Sequence, residues 1–142
     1  NWWAPVSNVE EKNTMIFYPD YFDVPVKNTT STWDLNIYLA NRKKGDFSYP
    51  SAPQLKEDLP SNIKKIPVTI KPGEILCFSG AHLHSSSKEK SENTRISFEI
   101  RTICENDLNS SAQAPNVDCD LQWKFPKIFK KINDNSPLKI TS

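Results

Sequence analysis

From Lys71 to Thr102 the chain reads KPGEILCFSGAHLHSSSKEKSENTRISFEIRT. A Pro72-Gly73 turn opens the stretch, and an apolar run from Ile75 to Phe78 follows. A short apolar run bounded by turn residues predicts a strand. The only two histidines of the chain, His82 and His84, come next, and a polar loop runs from Ser85 to Thr94. Ile96, Phe98 and Ile100 then alternate with Arg95, Ser97, Glu99 and Arg101, the period of two that marks a strand. His84 is therefore expected just past one strand and Arg95 at the mouth of the next. A neutral imidazole can hold a metal, and a guanidinium offers a carboxylate two parallel donors.

Outward from this stretch, Asn1 to Val6 and Met15 to Tyr18 predict further short strands, and Val68 to Ile70 leads into the Pro72-Gly73 turn. Trp33 to Ala40 alternates, with Trp33, Leu35, Ile37 and Leu39 on one side, and is expected to be a half-buried strand. Tyr21 to Val26 contains Pro25 and is an edge strand at best. Residues 41–67 hold Pro50, Pro53, Pro60 and Pro67. They form a long excursion, with one helical turn near Leu55 to Leu59, and are a candidate substrate lid. Gln122 to Ile132 carries Trp123, Phe125, Ile128, Phe129 and Ile132 at helical spacing, so a short C-terminal helix is expected there. Residues 133–142 read as a loose tail. Met15 to Leu39 and Ile75 to Ile100 also echo each other as strand, turn, polar loop, alternating strand. About six short strands separated by turns predict an all-β fold, a double-stranded β-helix or jelly roll, in one domain spanning residues 1–142.

The formal net charge of +1 provides no field to gather nucleic acid or anionic lipid. No apolar run approaches the roughly 20 residues of a membrane-spanning helix. A small-molecule substrate is the expected partner. No signal-peptide pattern is visible, and a cytoplasmic protein is expected. Cys77 lies in an apolar run and reads as a core thiol. Cys104 and Cys119 either pair or stay free. Trp2, Trp3, Trp33 and Trp123 read as core residues, with a sugar-stacking platform as the alternative. The chain enters a strand directly at Asn1, so residues are expected to precede it. An open sheet edge would follow from their loss and would favour a homodimer.

Residues 73–97 follow the pattern G-x-x-x-x-F-x-G-x-x-x-H-x(10)-R-x-S. This resembles the C-terminal signature of the non-haem iron(II), 2-oxoglutarate-dependent oxygenases, especially the phytanoyl-CoA hydroxylase-like group. The resemblance implies that Gly73-Glu74 is the turn and Phe78 the strand end. It further implies His84 as the distal iron ligand and Arg95, with Ser97 beside it, as the anchor of the 2-oxoglutarate carboxylate. The activity implied is hydroxylation of a small organic substrate with Fe(II) and 2-oxoglutarate as cofactors. Asn13 to Pro19 and Trp2 to Val6 are similar to segments that lie upstream in that family, although Asp20-Tyr21-Phe22 stands where the family has Gly-Ser-His. The family's His-x-Asp/Glu motif is absent, because no histidine precedes His82. Either that motif lies before Asn1, in which case this stretch of chain is inactive alone, or the chain is a metal-free relative.

Other chemistry fits the same residues. A non-catalytic jelly-roll binding module, for carbohydrate as an example, would need no metal. A cupin-type metal protein would use His82 and His84 together, both projecting from one face of an extended segment. The bland alternatives are a hydrogen-bonded loop histidine for His84, a polar rim residue for His82, and a salt bridge from Arg95 to Glu99 or Glu92.

Overall fold

A computed structural model describes residues 1–87, 91–108 and 129–138. Six strands run β1 (Trp2–Pro5), β2 (Met15–Phe17), β3 (Ile66–Val68), β4 (Leu76–Cys77), β5 (His84–Ser86) and β6 (Ser97–Ile100). The described residues also form helix α1 (Leu35–Lys43) between β2 and β3, helix α2 (Glu105–Leu108) after β6, and 3-10 turns at Glu11–Asn13 and Pro19–Tyr21. The strands make two antiparallel sheets, ordered β4-β1-β6 and β3-β2-β5. The fold is therefore β-rich with little helix. Among the described residues no helix is long and apolar enough to cross a membrane.

Register decides which side chains meet. In the first sheet Trp2 lies opposite both Cys77 and Ile100, Trp3 opposite Leu76 and Glu99, and Pro5 opposite Ser97. In the second, Met15 lies opposite Ser86 and Phe17 opposite His84. Directly opposed residues share a face. Trp3, Leu76, Ser97 and Glu99 thus share the inner face of one sheet, and Met15, Phe17, His84 and Ser86 that of the other. Trp3, Met15, Phe17 and Phe78 close on each other as the buried core, flanked by Val9, Phe22, Val68, Ile70 and Leu76. Thr14 is fully buried, and its hydroxyl donates to the Val68 carbonyl, so this buried polar side chain beside the core is satisfied.

Trp33 to Ala40 corrects an expectation. It is not a strand, because α1 begins at Leu35. The Asp34 carboxylate accepts from the amides of Asn36 at 2.7 Å and Ile37 at 3.2 Å, an N-cap that satisfies two otherwise orphaned donors. Arg42 and Lys43 in the last turn suit the negative end of the helix dipole, and Gly45 at φ 75° follows the C-cap. Four alternating positions in a stretch rich in Leu, Ala, Asn, Arg and Lys are too few to outweigh a good cap. None of the helical residues is buried. The echo between Met15–Leu39 and Ile75–Ile100 fails at the same place. Asp34→Ala should cost α1 about 1 kcal/mol, read as faster amide exchange at Tyr38, whose N–H donates to Asp34 O. Unchanged protection at Tyr38 would mean that the cap contributes nothing.

Three further segments depart from expectation. Tyr21 to Val26 forms no strand, and Leu55 to Leu59 no helical turn; Leu55 instead bridges Asn28. Cys77 is exposed, because its position in β4 turns it to the outer face of the sheet with Trp2. Cys104 is exposed and free. The expected C-terminal helix lies mostly outside the described residues. Its last residues are not helical: Lys130 bridges Pro137 across a tight turn.

Candidate functional site

Arg95 sits at the entrance to β6, and the turn after β1 fixes the backbone there. The Ser7 hydroxyl accepts from Ile96 N at 2.9 Å, and Val6 N donates to Ile96 O at 2.8 Å. The preceding loop is tied down as well, with Asn93 Nδ2 donating to Glu10 Oε1 at 2.6 Å and Asn13 Nδ2 to Asn93 O at 3.2 Å. The Arg95 side chain runs inward, its Cζ 5.6 Å from the centre of the Trp3 ring. Nη2 makes a long bond of 3.4 Å to Ser86 Oγ, while Nη1 is buried without a partner. Partial burial pushes the guanidinium below its ordinary pKa. Among the described residues no carboxylate is paired with Arg95, and Glu99 instead takes Arg101 at 2.9 Å. The salt-bridge reading of Arg95 therefore finds no partner there.

His84 opens β5 rather than following a strand in a loop. Its ring stacks on Phe17 at 5.6 Å and 25° and meets Phe78 edge-on at 4.9 Å. Nδ1 lies 2.7 Å from the His82 carbonyl. A carbonyl only accepts, so Nδ1 carries the proton of the neutral ring and Nε2 keeps the lone pair. A hydrogen bond at one ring nitrogen that leaves the other bare is the arrangement found in metal-binding histidines. Tyr18 holds the strand from the far side, its N–H donating to Leu83 O at 3.1 Å and its hydroxyl bonded to Ser85 Oγ at 3.0 Å.

His82 goes elsewhere. It closes a turn, with its N–H on Ser79 O, and its ring stacks on Phe22 at 4.1 Å and 12°. The segment is bent at His82, so the two imidazoles do not project side by side from one extended face.

His84 and Arg95 line one cavity of about 290 Å³ between the inner faces of the sheets. Trp3 and Met15 form its apolar wall, and Ser86 and Ser97 bring hydroxyls. Ala52, from the Pro-rich excursion, reaches the same cavity. Arg95 and Ser97 thus stand together on the polar row of β6, which faces inward. The apolar row of β6 faces out. Trp3, Met15 and Ser86 carry no motif in the sequence, because only cross-sheet packing brings them to Arg95.

The donor set answers two questions differently. An orphaned buried guanidinium nitrogen beside two hydroxyls suits a carboxylate. An iron centre of the two-histidine, one-carboxylate kind needs three protein donors on one side of the metal. Among the described residues no group of three or more His, Cys, Asp or Glu side chains can hold a metal ion. His84 is a single donor, so these residues do not make up such a centre.

A second, smaller cleft of about 200 Å³ is lined by Thr29, Thr32, Trp33, Tyr49, Pro50 and Gln54. Its aromatic side chains already have partners: Trp33 Nε1 donates to Pro50 O at 2.9 Å, and Tyr49 Oη accepts from Asp34 N at 2.8 Å. These bonds serve to tie the excursion to the start of α1.

No family model, no curated protein and no solved structure matches this chain.

Proposed function

We propose that the cavity is the cosubstrate half of an Fe(II)- and 2-oxoglutarate-dependent dioxygenase site, built on a double-stranded β-helix, and that it binds 2-oxoglutarate through Arg95. The observation that carries this is the buried, unpartnered Nη1 of Arg95 in a cavity shared with His84. A guanidinium nitrogen buried without a partner is costly, and a bidentate carboxylate would satisfy it. Ser97 and Ser86 would supply further bonds to the same carboxylate. His84 would offer Nε2 as one donor to iron, the metal that supplies dioxygen chemistry in such enzymes. The strands are consistent with a double-stranded β-helix, since β1, β4 and β6 fall in one sheet and β2, β3 and β5 in the other. The excursion carrying Ala52 would act as a lid over a small organic substrate.

The described residues bring one imidazole to the site, so turnover by these residues alone is not part of the proposal. Binding is. Calorimetric titration of 2-oxoglutarate into the protein should show one site per chain, and Arg95→Ala should abolish it. Equal affinity in the two proteins would sink the assignment. The lack of a three-donor group favours a second reading, a carboxylate-binding module without a metal. Added Fe(II) separates the two: it should tighten 2-oxoglutarate binding in a manner lost in His84→Ala if His84 is a ligand, and change nothing in a metal-free module.

A further inference from the structure

The sheet β4-β1-β6 buries one face and bares the other. Trp2 lies opposite Cys77 and Ile100, and Ala4 opposite Phe98. Residues two apart on a strand share a face, so Ile75 joins Cys77 and Ile96 joins Phe98. The resulting outer face is Trp2, Ala4, Ile75, Cys77, Ile96, Phe98 and Ile100, without a charged side chain; the small Ala4 at its centre is buried among the larger side chains. It is widely open to water: Trp2 is 42% exposed, Ile75 61%, Ile96 59%, Phe98 48% and Ile100 54%. Buried apolar residues on the described chain are few by comparison, namely Trp3, Ala4, Met15, Phe17 and Phe78.

Those exposures amount to on the order of 600 Å² of contiguous apolar surface, at the upper end of the roughly 300–600 Å² patch that an ordinary monomer tolerates. Two such faces laid together remove about 1,200 Å², where standard protein interfaces begin. The face is a flat sheet surface with no charge to be matched, so its complement is another flat apolar surface. A second copy supplies that surface in equal amount, and two-fold symmetry makes the contact self-complementary. Facing sheets pack about 10 Å apart, as in a sandwich.

We propose that this face joins two copies of the chain into a two-fold dimer, sheet against sheet. The dimer face and the carboxylate site use opposite rows of β6, with Arg95 and Ser97 on the inner side; only Phe98 of the outer row also reaches the cavity lining. It also accounts for the inverted polarity of β6: the polar row serves the cavity, and the apolar row serves the partner.

Sedimentation velocity over a micromolar to hundred-micromolar range should show the mass rising from 16.2 kDa to twice that value. Phe98→Glu should weaken the dimer at least about tenfold. The milder Ile100→Gln should shift the equilibrium in the same direction, and far-ultraviolet circular dichroism should confirm that both variants keep the fold. In a Cys104→Ser, Cys119→Ser background, alkylation of Cys77 should slow as protein concentration rises. A monomer at every concentration overturns the proposal. With a reactive Cys77 the face is then open to water, and with a protected Cys77 the chain itself covers it. A dimer indifferent to both folded variants overturns it too, since the interface then lies elsewhere.

Discussion

Phe17→Ala should destabilise the protein by about 3–5 kcal/mol, the cost of emptying a buried aromatic site. Phe17 is 6% exposed, and its ring meets Phe78 edge-on at 5.1 Å and Phe22 at 6.1 Å while stacking on His84. It joins the core on β2 to the ring that faces the cavity. Domains of this size hold about 5–15 kcal/mol in total. Losing one of the five buried apolar residues among the described ones therefore threatens the fold itself. A urea titration would show the midpoint falling steeply, with the alanine protein largely unfolded if total stability is near the low end. Phe17→Leu keeps much of the volume and should cost less, leaving a folded protein in which His84 has lost its stacking partner. The His84 ring resonances in that variant should broaden or shift while those of His82, stacked on Phe22, stay put. A change of under about 1 kcal/mol on Phe17→Ala would mean that the core collapses around the gap, outside the range for buried aromatics.

The same residues explain what is legible in the sequence. WWAP, MIF and LC announce themselves as strands because their residues are apolar or β-prone and turn signals bound them. The spacing of His84 and Arg95 was legible too, and both residues line one cavity. Three features were not. The helix α1 was masked by an alternation of Trp33, Leu35, Ile37 and Leu39 that a cap at Asp34 overrides. The orientation of β6 was hidden because a period of two defines two faces without saying which is inward. Hydrophobicity alone predicts that Ile96, Phe98 and Ile100 point in. They point out, because the pairing Pro5 with Ser97 and Trp3 with Glu99 sets the polar row on the side of the buried Trp3. Cys77 follows the same parity through its pairing with Trp2. The bend at His82 was likewise invisible, since His-Leu-His reads as extended until the Ser79 carbonyl closes a turn on it.

Arg95→Met should separate binding from stability, with opposite signs. Methionine replaces the guanidinium with an apolar chain of similar reach, so a bound dicarboxylate loses its two-pronged partner. Truncating one side of a buried, hydrogen-bonded charge pair costs about 2–5 kcal/mol, and about 3 kcal/mol corresponds to roughly a hundredfold loss of affinity for 2-oxoglutarate. Stability should move the other way or hold. In the free protein Nη1 is buried with no partner and Nη2 has one long bond to Ser86; among the described residues no carboxylate pairs with Arg95, since Glu99 in the same cavity takes Arg101. An unsatisfied buried donor costs about 1–3 kcal/mol. The side chain is only partly buried, so the low end applies, and the contact with Trp3 offsets about 0.5–1 kcal/mol of it. Urea unfolding without ligand should thus find Arg95→Met as stable as the parent, or more stable by up to about 0.5 kcal/mol. Addition of 2-oxoglutarate should then reverse the order, because ligand stabilises only the protein that binds it. Arg95→Lys keeps the charge but not the planar fork, and should bind between the two. A guanidinium kept for structure would give the contrary pattern, with Arg95→Met markedly less stable and 2-oxoglutarate raising the midpoint of neither protein.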